Sequence, residues 1–230
     1  IQPRHQRDVE IAVQTINAET SRFPSLSLTP RAAGTGLSGG SLTDSIALDV
    51  CTHMKSIGEI KKSRGYTMIT CEPGAMWRDV EKALKKEKVY LPSYPASKDI
   101  CSVGGSVANN AAGPDSLRFG HCADWVESVN VTLHDGKTYT IKPVTFKELK
   151  TLSKKDNAHG HIAKEIFALI EQNEKTIANA KPKTKKNSAG FPLWDVLDVS
   201  VAQFKKGTGF FDLTRIISGS QGTIGIITSI

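Results

Sequence analysis

A mixed helix-and-strand fold, α/β or α+β, is predicted by three features of this 230-residue sequence: apolar residues at helical spacing in separate segments, short β-branched runs between them, and glycine-rich boxes punctuating the order. With 39% apolar content the chain can bury a core as one large domain or as two lobes. Val9, Ala12, Val13 and Ile16 share a face, so a helix is expected over 8–20, beginning near Asp8. LSLT at 26–29 reads as a short strand running into Pro30 and the glycine-rich stretch PRAAGTGLSGG. SIALDV at 45–50 and YTMITCE at 66–72 read as strands, the second closed by Pro73-Gly74. AMWRDVEKALKKEK at 75–88 places Met76, Val80, Ala83 and Leu84 on one helical face, and the proline-rich LPSYPAS ends that helix.

A second block rich in glycine and asparagine occupies 102–120. It precedes VESVNVTLHDGKTYTI at 126–141, where Val129, Val131 and Leu133 alternate and Asp135-Gly136 supplies a tight hairpin turn. Helical periodicity returns over about 145–180, with a stripe of Ile162, Ile166, Leu169 and Ile170, and a basic loop follows. The last segment, LTRIISGSQGTIGIITSI at 213–230, is two apolar runs about a glycine-rich turn. The chain stops inside or just after a strand, as expected of a separated domain.

Composition removes several classes of function. No run approaches the eighteen or so apolar residues of a membrane span, and IQPRHQRDVE has neither the apolar core nor the cleavage site of a signal peptide, so a cytoplasmic location is expected. Cys51, Cys71, Cys101 and Cys122 are isolated from one another, which predicts reduced thiols and neither a disulfide framework nor zinc. The net charge of +7 comes from Lys and Arg spread along the chain, denser in FKELKTLSKK and KPKTKK but without interleaved aromatic residues. That pattern predicts solvated basic loops and no nucleic-acid partner, while a positive field also suits an anionic cofactor or substrate.

Gly34, Gly36 and Gly39 spell G-x-G-x-x-G, the fingerprint of a Rossmann dinucleotide site, but that mechanism needs a helix to open at the glycines. Here SLTDSIALDV leads almost directly into a strand, so a nicotinamide site of that kind is not expected. Small residues in series still let successive N–H groups point inward as an anion-binding nest, to which Thr35 and Ser38 add hydroxyls. A loop that only turns a corner needs one or two glycines; residues 103–113 and 219–225 supply further side-chain-poor surface. Together the boxes favour an elongated, phosphate-bearing cofactor.

In order and spacing, PRAAGTGLSGG at 30–40, SKDICSVGGSVANNAAGPDSLRFG at 97–120 and GSQGTIGIIT at 219–228 resemble the flavin segments of the FAD-binding domain of the vanillyl-alcohol oxidase and p-cresol methylhydroxylase type. The likeness runs from about Pro3 to Ile230 and is strongest to the D-2-hydroxy acid dehydrogenase branch: D-lactate dehydrogenase, the glycolate oxidase large subunit and D-2-hydroxyglutarate dehydrogenase. KKNSAGF at 185–191 also resembles a segment of that branch. The resemblance implies an α+β domain of two lobes, about 1–95 and 96–230, with non-covalent FAD stretched between them. It implies a pyrophosphate held by the main-chain N–H groups of Arg31, Ala32, Ala33, Gly34, Thr35, Gly36, Leu37 and Ser38. Pro95, Ser97, Ser102, Gly104, Gly105, Asn109, Gly113, Gly225 and Ile226 would line the rest of the groove, with Lys186 and Asn187 near the substrate side.

In that family a hydride passes from a hydroxy-acid carbon to the flavin, and electrons then pass to an acceptor that this sequence does not identify. The groups that bind substrate, take its proton and in some members hold a metal follow the final glycine box, so neither a catalytic residue nor a metal ligand is expected here. The chain alone is expected to bind FAD and to turn over hydroxy acids poorly or not at all. Ala32 departs from the family pattern P-R-G-x-G-T, from which a slightly lower FAD affinity is expected. No histidine lies between Pro30 and Gly40 to link a flavin, and the spacing of Cys101 from Gly104-Gly105 does not match bicovalent members, so Cys101 reads as a buried thiol. The competing reading from another class is a flavin-fold binding or assembly module without catalysis.

His159 and His161 have no third ligand nearby and read as the exposed start of a helix rather than a metal pair. His121 follows the second box and is read as structural or solvent-facing, with an approach to the flavin as the alternative. Trp77, Trp125 and Trp194 read as packing residues.

Overall fold

The computed structural model describes residues 1–63, 65–184, 186–188 and 190–230. The fold is α+β. Helix α1 (Gln6–Glu19) buries Val9 and Ala12 as its periodicity dictates. Strands β1 (Leu28–Arg31) and β2 (Ile46–Asp49) pair in parallel, with Leu28 opposite Ile46 and Arg31 opposite Asp49. The expected strand at 26–29 therefore begins two residues later and runs through Pro30, tolerable because the two-stranded sheet leaves β1 an edge. Strand β3 (Ile57–Ser63), which the sequence reading missed, pairs antiparallel with β4 (Tyr66–Cys71). A register shift between Ile57 and Ile60 breaks the alternation that would have revealed it.

Helix α2 (Trp77–Lys86) buries Trp77, Val80 and Leu84. The second glycine-rich block holds two short helices, α3 (Val103–Ala108), hidden in the sequence by the low helix propensity of Gly104 and Gly105, and α4 (Ser116–Phe119), a single turn too short to show a period. Ser102 starts α3 by accepting from the Gly105 N–H at 3.4 Å. The hairpin forms as predicted, β5 (Val129–Thr132) against β6 (Thr138–Ile141), with Gly136 at φ +68° in the turn. The segment expected to be helical over 145–180 is two helices, α5 (Phe146–Leu152) and α6 (Ala158–Ala180), separated where Asn157 caps α6 through Gly160 N–H at 2.9 Å. Leu169 departs from the predicted stripe and is 43% exposed, while Ile170 is buried.

Helix α7 (Val201–Lys205) brings Phe204 against Phe146, Phe167 and Phe211, with ring centroids 5.4–6.5 Å apart. The closing segment is helix α8 (Thr214–Ile217), then the glycine turn, then β7 (Ile226–Ser229) beside β5, giving the sheet order β6-β5-β7. Just past β7, Ile230 and Cys71 exchange main-chain hydrogen bonds of 2.8 and 2.9 Å, joining the early hairpin to the late sheet. One buried cluster gathers Val9, Leu48, Val50, Met54 and Ile226; the larger one runs from Trp77 and Leu84 through the β5 sheet to Phe204 and Ile217. Trp77 packs in the core, whereas Trp125 is 47% exposed and its Nε1 donates to the Phe119 carbonyl at 2.8 Å.

Candidate functional site

Because β1 and β2 are parallel neighbours joined by residues 32–45 without a helix, the first glycine box arches over the sheet end instead of opening a Rossmann helix. Gly34 and Gly39 take φ +70° and +76°, which L side chains rarely adopt. The main-chain N–H groups of Ala33 to Ser38 donate no hydrogen bond to the protein among the described residues. They form a row of donors unsatisfied by the fold, on a loop that faces open space: a Cβ on Gly36 would meet nothing within 4 Å.

That space is a groove of about 1000 Å³. The box forms one wall, Pro73, Pro95, Ser97 and the start of α3 form another, and Gln221, Gly222 and Gly225 to Ile227 close the third side. The walls approach closely because glycines let them. A Cβ on Gly104 would stand 2.8 Å from the Pro73 carbonyl oxygen, and one on Gly105 would stand 3.2 Å from the Ala32 methyl. The bare Gly105 thus accommodates the extra carbon that Ala32 carries.

The groove brings together Ala32, Ala33, Gly34, Thr35, Gly36, Ser38, Pro95, Ser97, Ser102, Gly104, Gly105, Asn109, Gly225 and Ile226, all named from sequence. Three others stand outside its lining. Arg31 packs its guanidinium behind Gly34, where an added Cβ would be 2.7 Å from Nη2. Leu37 points its side chain wholly into solvent. Gly113 is packed on the main chain, and a Cβ there would overlap the Tyr94 carbonyl oxygen at 1.7 Å. Lys186 is exposed and Asn187 borders a separate pocket; Lys185 and Ala189 of the 185–191 loop lie outside the described residues.

Sequence reasoning missed Gln221 as an individual residue, although it sits in the third box. At φ +51° its N–H donates to the Ala108 carbonyl at 2.9 Å, and its Oε1 accepts from the Ser38 hydroxyl at 3.0 Å. One residue therefore ties the first box to the end of α3. Beneath the groove, burial tends to raise the Asp49 pKa, but bonds from the Thr52 hydroxyl (2.6 Å) and Cys51 N–H (2.8 Å) outweigh it and hold the carboxyl below its ordinary value. Burial pushes the Cys71 thiol up to about 11 and Cys122 up to about 12, which leaves both inert as nucleophiles at neutral pH. Cys101 is buried and its sulfur lies 3.4 Å from the Ser106 hydroxyl.

The second pocket, of about 680 Å³, lies across the turn at Asn109–Ala111: Asn109 and Ala111 line the groove, and Asn110 between them lines the pocket. His121 borders this pocket rather than the groove. His161 is exposed at the start of α6 as expected, but His159 is half-buried, its ring centroid 5.6 Å from that of Tyr139. Burial lowers the His159 pKa, with Lys155 adding to the effect. Among the described residues no group of three or more His, Cys, Asp or Glu is placed to hold a metal, and no helix is long and apolar enough to cross a membrane.

An α+β fold with an extended groove, walled by glycine-rich main chain and a row of unused N–H donors, defines a domain shaped for a long ligand with an anionic middle. The family model described as an FAD-binding domain matches residues 1–142, and this chain belongs to that family, the FAD-binding domains of the p-cresol methylhydroxylase type. It is 29% identical to D-2-hydroxyglutarate dehydrogenase of Escherichia coli K12 over 98% of the chain and 21% of that protein. It is 30% identical to glycolate oxidase subunit GlcD of Bacillus subtilis 168 over 99% of the chain and 35% of that protein. The chain thus spans about a fifth to a third of these relatives' length. Solved structures show the same fold: alkyldihydroxyacetonephosphate synthase over the whole chain and 30% of its own (TM-score 0.56, 17% identity), and cholesterol oxidase of Brevibacterium sterolicum over 61% of the chain and 28% of its own (TM-score 0.51, 20% identity).

Proposed function

We propose that this chain is the FAD-binding part of a flavin-dependent oxidoreductase that oxidises a 2-hydroxy acid, such as D-lactate, glycolate or a relative. The observation that carries the reading is the row of unused N–H donors from Ala33 to Ser38 facing the groove, which suits a pyrophosphate. The Arg31 guanidinium behind Gly34 adds positive charge beneath the same loop. When bound, FAD supplies the hydride acceptor. The chain's own residues bind and orient: the box holds the diphosphate, Gln221 fixes the box against α3, and the bare Gly104 and Gly105 let the walls close on a flat ligand.

Non-covalent attachment is the form we propose, supported by a first box without histidine and by the burial of Cys101. Relatives at 21–35% coverage support placing the substrate and proton-accepting groups of the whole protein outside these 230 residues, in a cap region. The lobes of that whole domain are taken as about 1–95 and 96–230. The test is the visible spectrum of the purified chain after adding FAD and removing the excess, followed by acid precipitation and an assay with hydroxy acids. Flavin that follows the protein and is released by acid, without saturable turnover, is the expected result. A colourless chain would defeat the FAD reading and favour an assembly module; flavin retained in the acid pellet would defeat non-covalent binding; turnover by the chain alone would defeat the placement of the substrate groups.

A further inference from the structure

The lysine-rich run FKELKTLSKK takes no part in the groove, and the fold sets it out on the surface in a defined arrangement. Residues 142–155 carry five lysines, Lys142, Lys147, Lys150, Lys154 and Lys155, against one carboxylate, Glu148, and all five are exposed. Helix α5 turns Leu149 into the core, so Lys147 and Lys150 lie on its outer face. The turn continues past the end of α5, where the Lys154 and Lys155 N–H groups donate to the Thr151 and Leu152 carbonyls, and Lys154 falls into the same row at helical spacing.

The fold leaves this charge uncompensated. Lys82, Lys98, Lys181 and Lys205 each meet a carboxylate, Asp79, Glu81, Asp195 and Glu171 in turn, but none of the five lysines forms an ion pair among the described residues. Glu148 is spent on the cap of α5, its Oε2 accepting from the Thr145 N–H and hydroxyl at 2.7 Å, and Asp156 Oδ1 lies 3.2 Å from His161 Nε2. The make-up of the face selects the kind of anion it fits. Protein interfaces are anchored by aromatic residues and arginine and are poor in lysine, whereas residues 142–155 hold no arginine and none of the exposed large apolar side chains. Single-stranded nucleic acid is gripped by exposed rings for stacking, which the face also lacks. Phospholipid headgroups ask only for charge, which flexible ammonium groups supply without fixed geometry. Leu149 and Leu152 belong to the core, so α5 has no free apolar face to insert, and contact stays at the level of the headgroups.

We infer that the outer face of α5, with Lys142, Lys154 and Lys155 beside it, docks on an anionic phospholipid surface, reversibly and by charge alone. No residue of 142–155 lines the groove, so the docked chain keeps its cofactor site open.

The test is co-sedimentation of the complete chain with phosphatidylcholine vesicles, plain or containing about 30% phosphatidylserine, at about 0.1 M and about 0.5 M salt. Binding to the phosphatidylserine vesicles alone, lost at the higher salt, is expected. The triple variant Lys147→Gln, Lys150→Gln, Lys154→Gln changes only exposed side chains, keeps its melting temperature, and is expected to bind about a hundredfold more weakly, at about fivefold per lysine. A control of equal charge, Lys55→Gln, Lys61→Gln, Lys86→Gln, removes exposed lysines elsewhere and is expected to weaken binding by no more than about threefold. Failure to bind the phosphatidylserine vesicles, or equal binding to plain ones, overturns the surface. Equal losses in the two triple variants overturn its placement on α5. Tighter binding through the same lysines to polyglutamate or to a DNA oligonucleotide, at matched salt and total charge, overturns the lipid in favour of an acidic protein or a nucleic acid. No flavin enters these measurements, so they stand or fall separately from the FAD reading.

Discussion

The groove and the second pocket are neighbours built on opposite principles. The groove is made of main chain: glycines, small residues and unused N–H groups between Ala33 and Ser38. The pocket is made of side chains, with His121, Asp124, Lys181 and Arg215 drawn from segments up to about ninety residues apart and joined by charge. A site built from backbone announces itself as a run of glycines because only glycine permits its angles and close approaches. A site built from side chains has no such local signature, since any charged residue on a surface helix looks the same until the fold brings its partner.

The largest effect that would test this division is structural. Gly113→Ala, which drives a methyl into the Tyr94 carbonyl, is expected to cost about 3 kcal/mol and to lower the melting temperature of the FAD-free chain. Gly36→Val should do the opposite: its side chain enters open space, so the melting temperature is unchanged while FAD titration shows affinity weakened about tenfold or more. If both glycines changed stability alike, the main-chain account of the groove would fail.

Asp124→Ala separates the two sites. Burial alone would lower the pKa of the Arg215 guanidinium, but Asp124 and then Asp212 outweigh it and raise it. Removing Asp124 is expected to lose about 1 kcal/mol of stability in denaturant melts, since a partly exposed bridge and the exposed bond from the His121 main-chain N–H go while Asp212 remains on Arg215. FAD affinity should hold, since Asp124 stands outside the lining of the groove. Ser38→Ala and Gln221→Ala should each weaken FAD a few-fold, with a coupling of about 0.5 kcal/mol between them because they delete the same exposed hydrogen bond. Strict additivity in that cycle would remove Gln221 as the tie between box and helix.

The smallest expected effect belongs to neither site and serves as a control on both. Burial lowers the folded pKa of His159 below its ordinary 6.5, so the unfolded chain binds more protons there as pH falls. Its contribution to stability is present above about 6.5 and is lost as pH falls through the lowered folded value. Thermal melts across that window should show a slope that His159→Gln reduces, while FAD binding by the variant stays as it was.

Legibility in the sequence followed the same division. The opening helix, β2, β4, α2 and the Asp135-Gly136 hairpin were readable because each carries its own period or turn residue. Strand β3 escaped because its register shifts, and α3 because Gly104 and Gly105 mask a helix that Ser102 caps. In the groove, most residues named from the boxes share one wall or another, yet Leu37 turns outward and Gly113 inward, distinctions of side-chain direction that a run of small residues does not encode. His121 was visible as a candidate, but not what it faces.

By itself, then, the sequence determined the succession of helices and strands, the absence of a Rossmann helix after Gly39, and the existence of three side-chain-poor boxes, because propensity, period and glycine content are local properties of the chain. Only the tertiary structure decided that the boxes converge on one groove, that Gln221 spans it, and that Asp124 stands between His121 and Arg215. Those are meetings of residues far apart in the chain, and what selects them is the packing of α3 and β7 against the rest of the core, which no local pattern specifies.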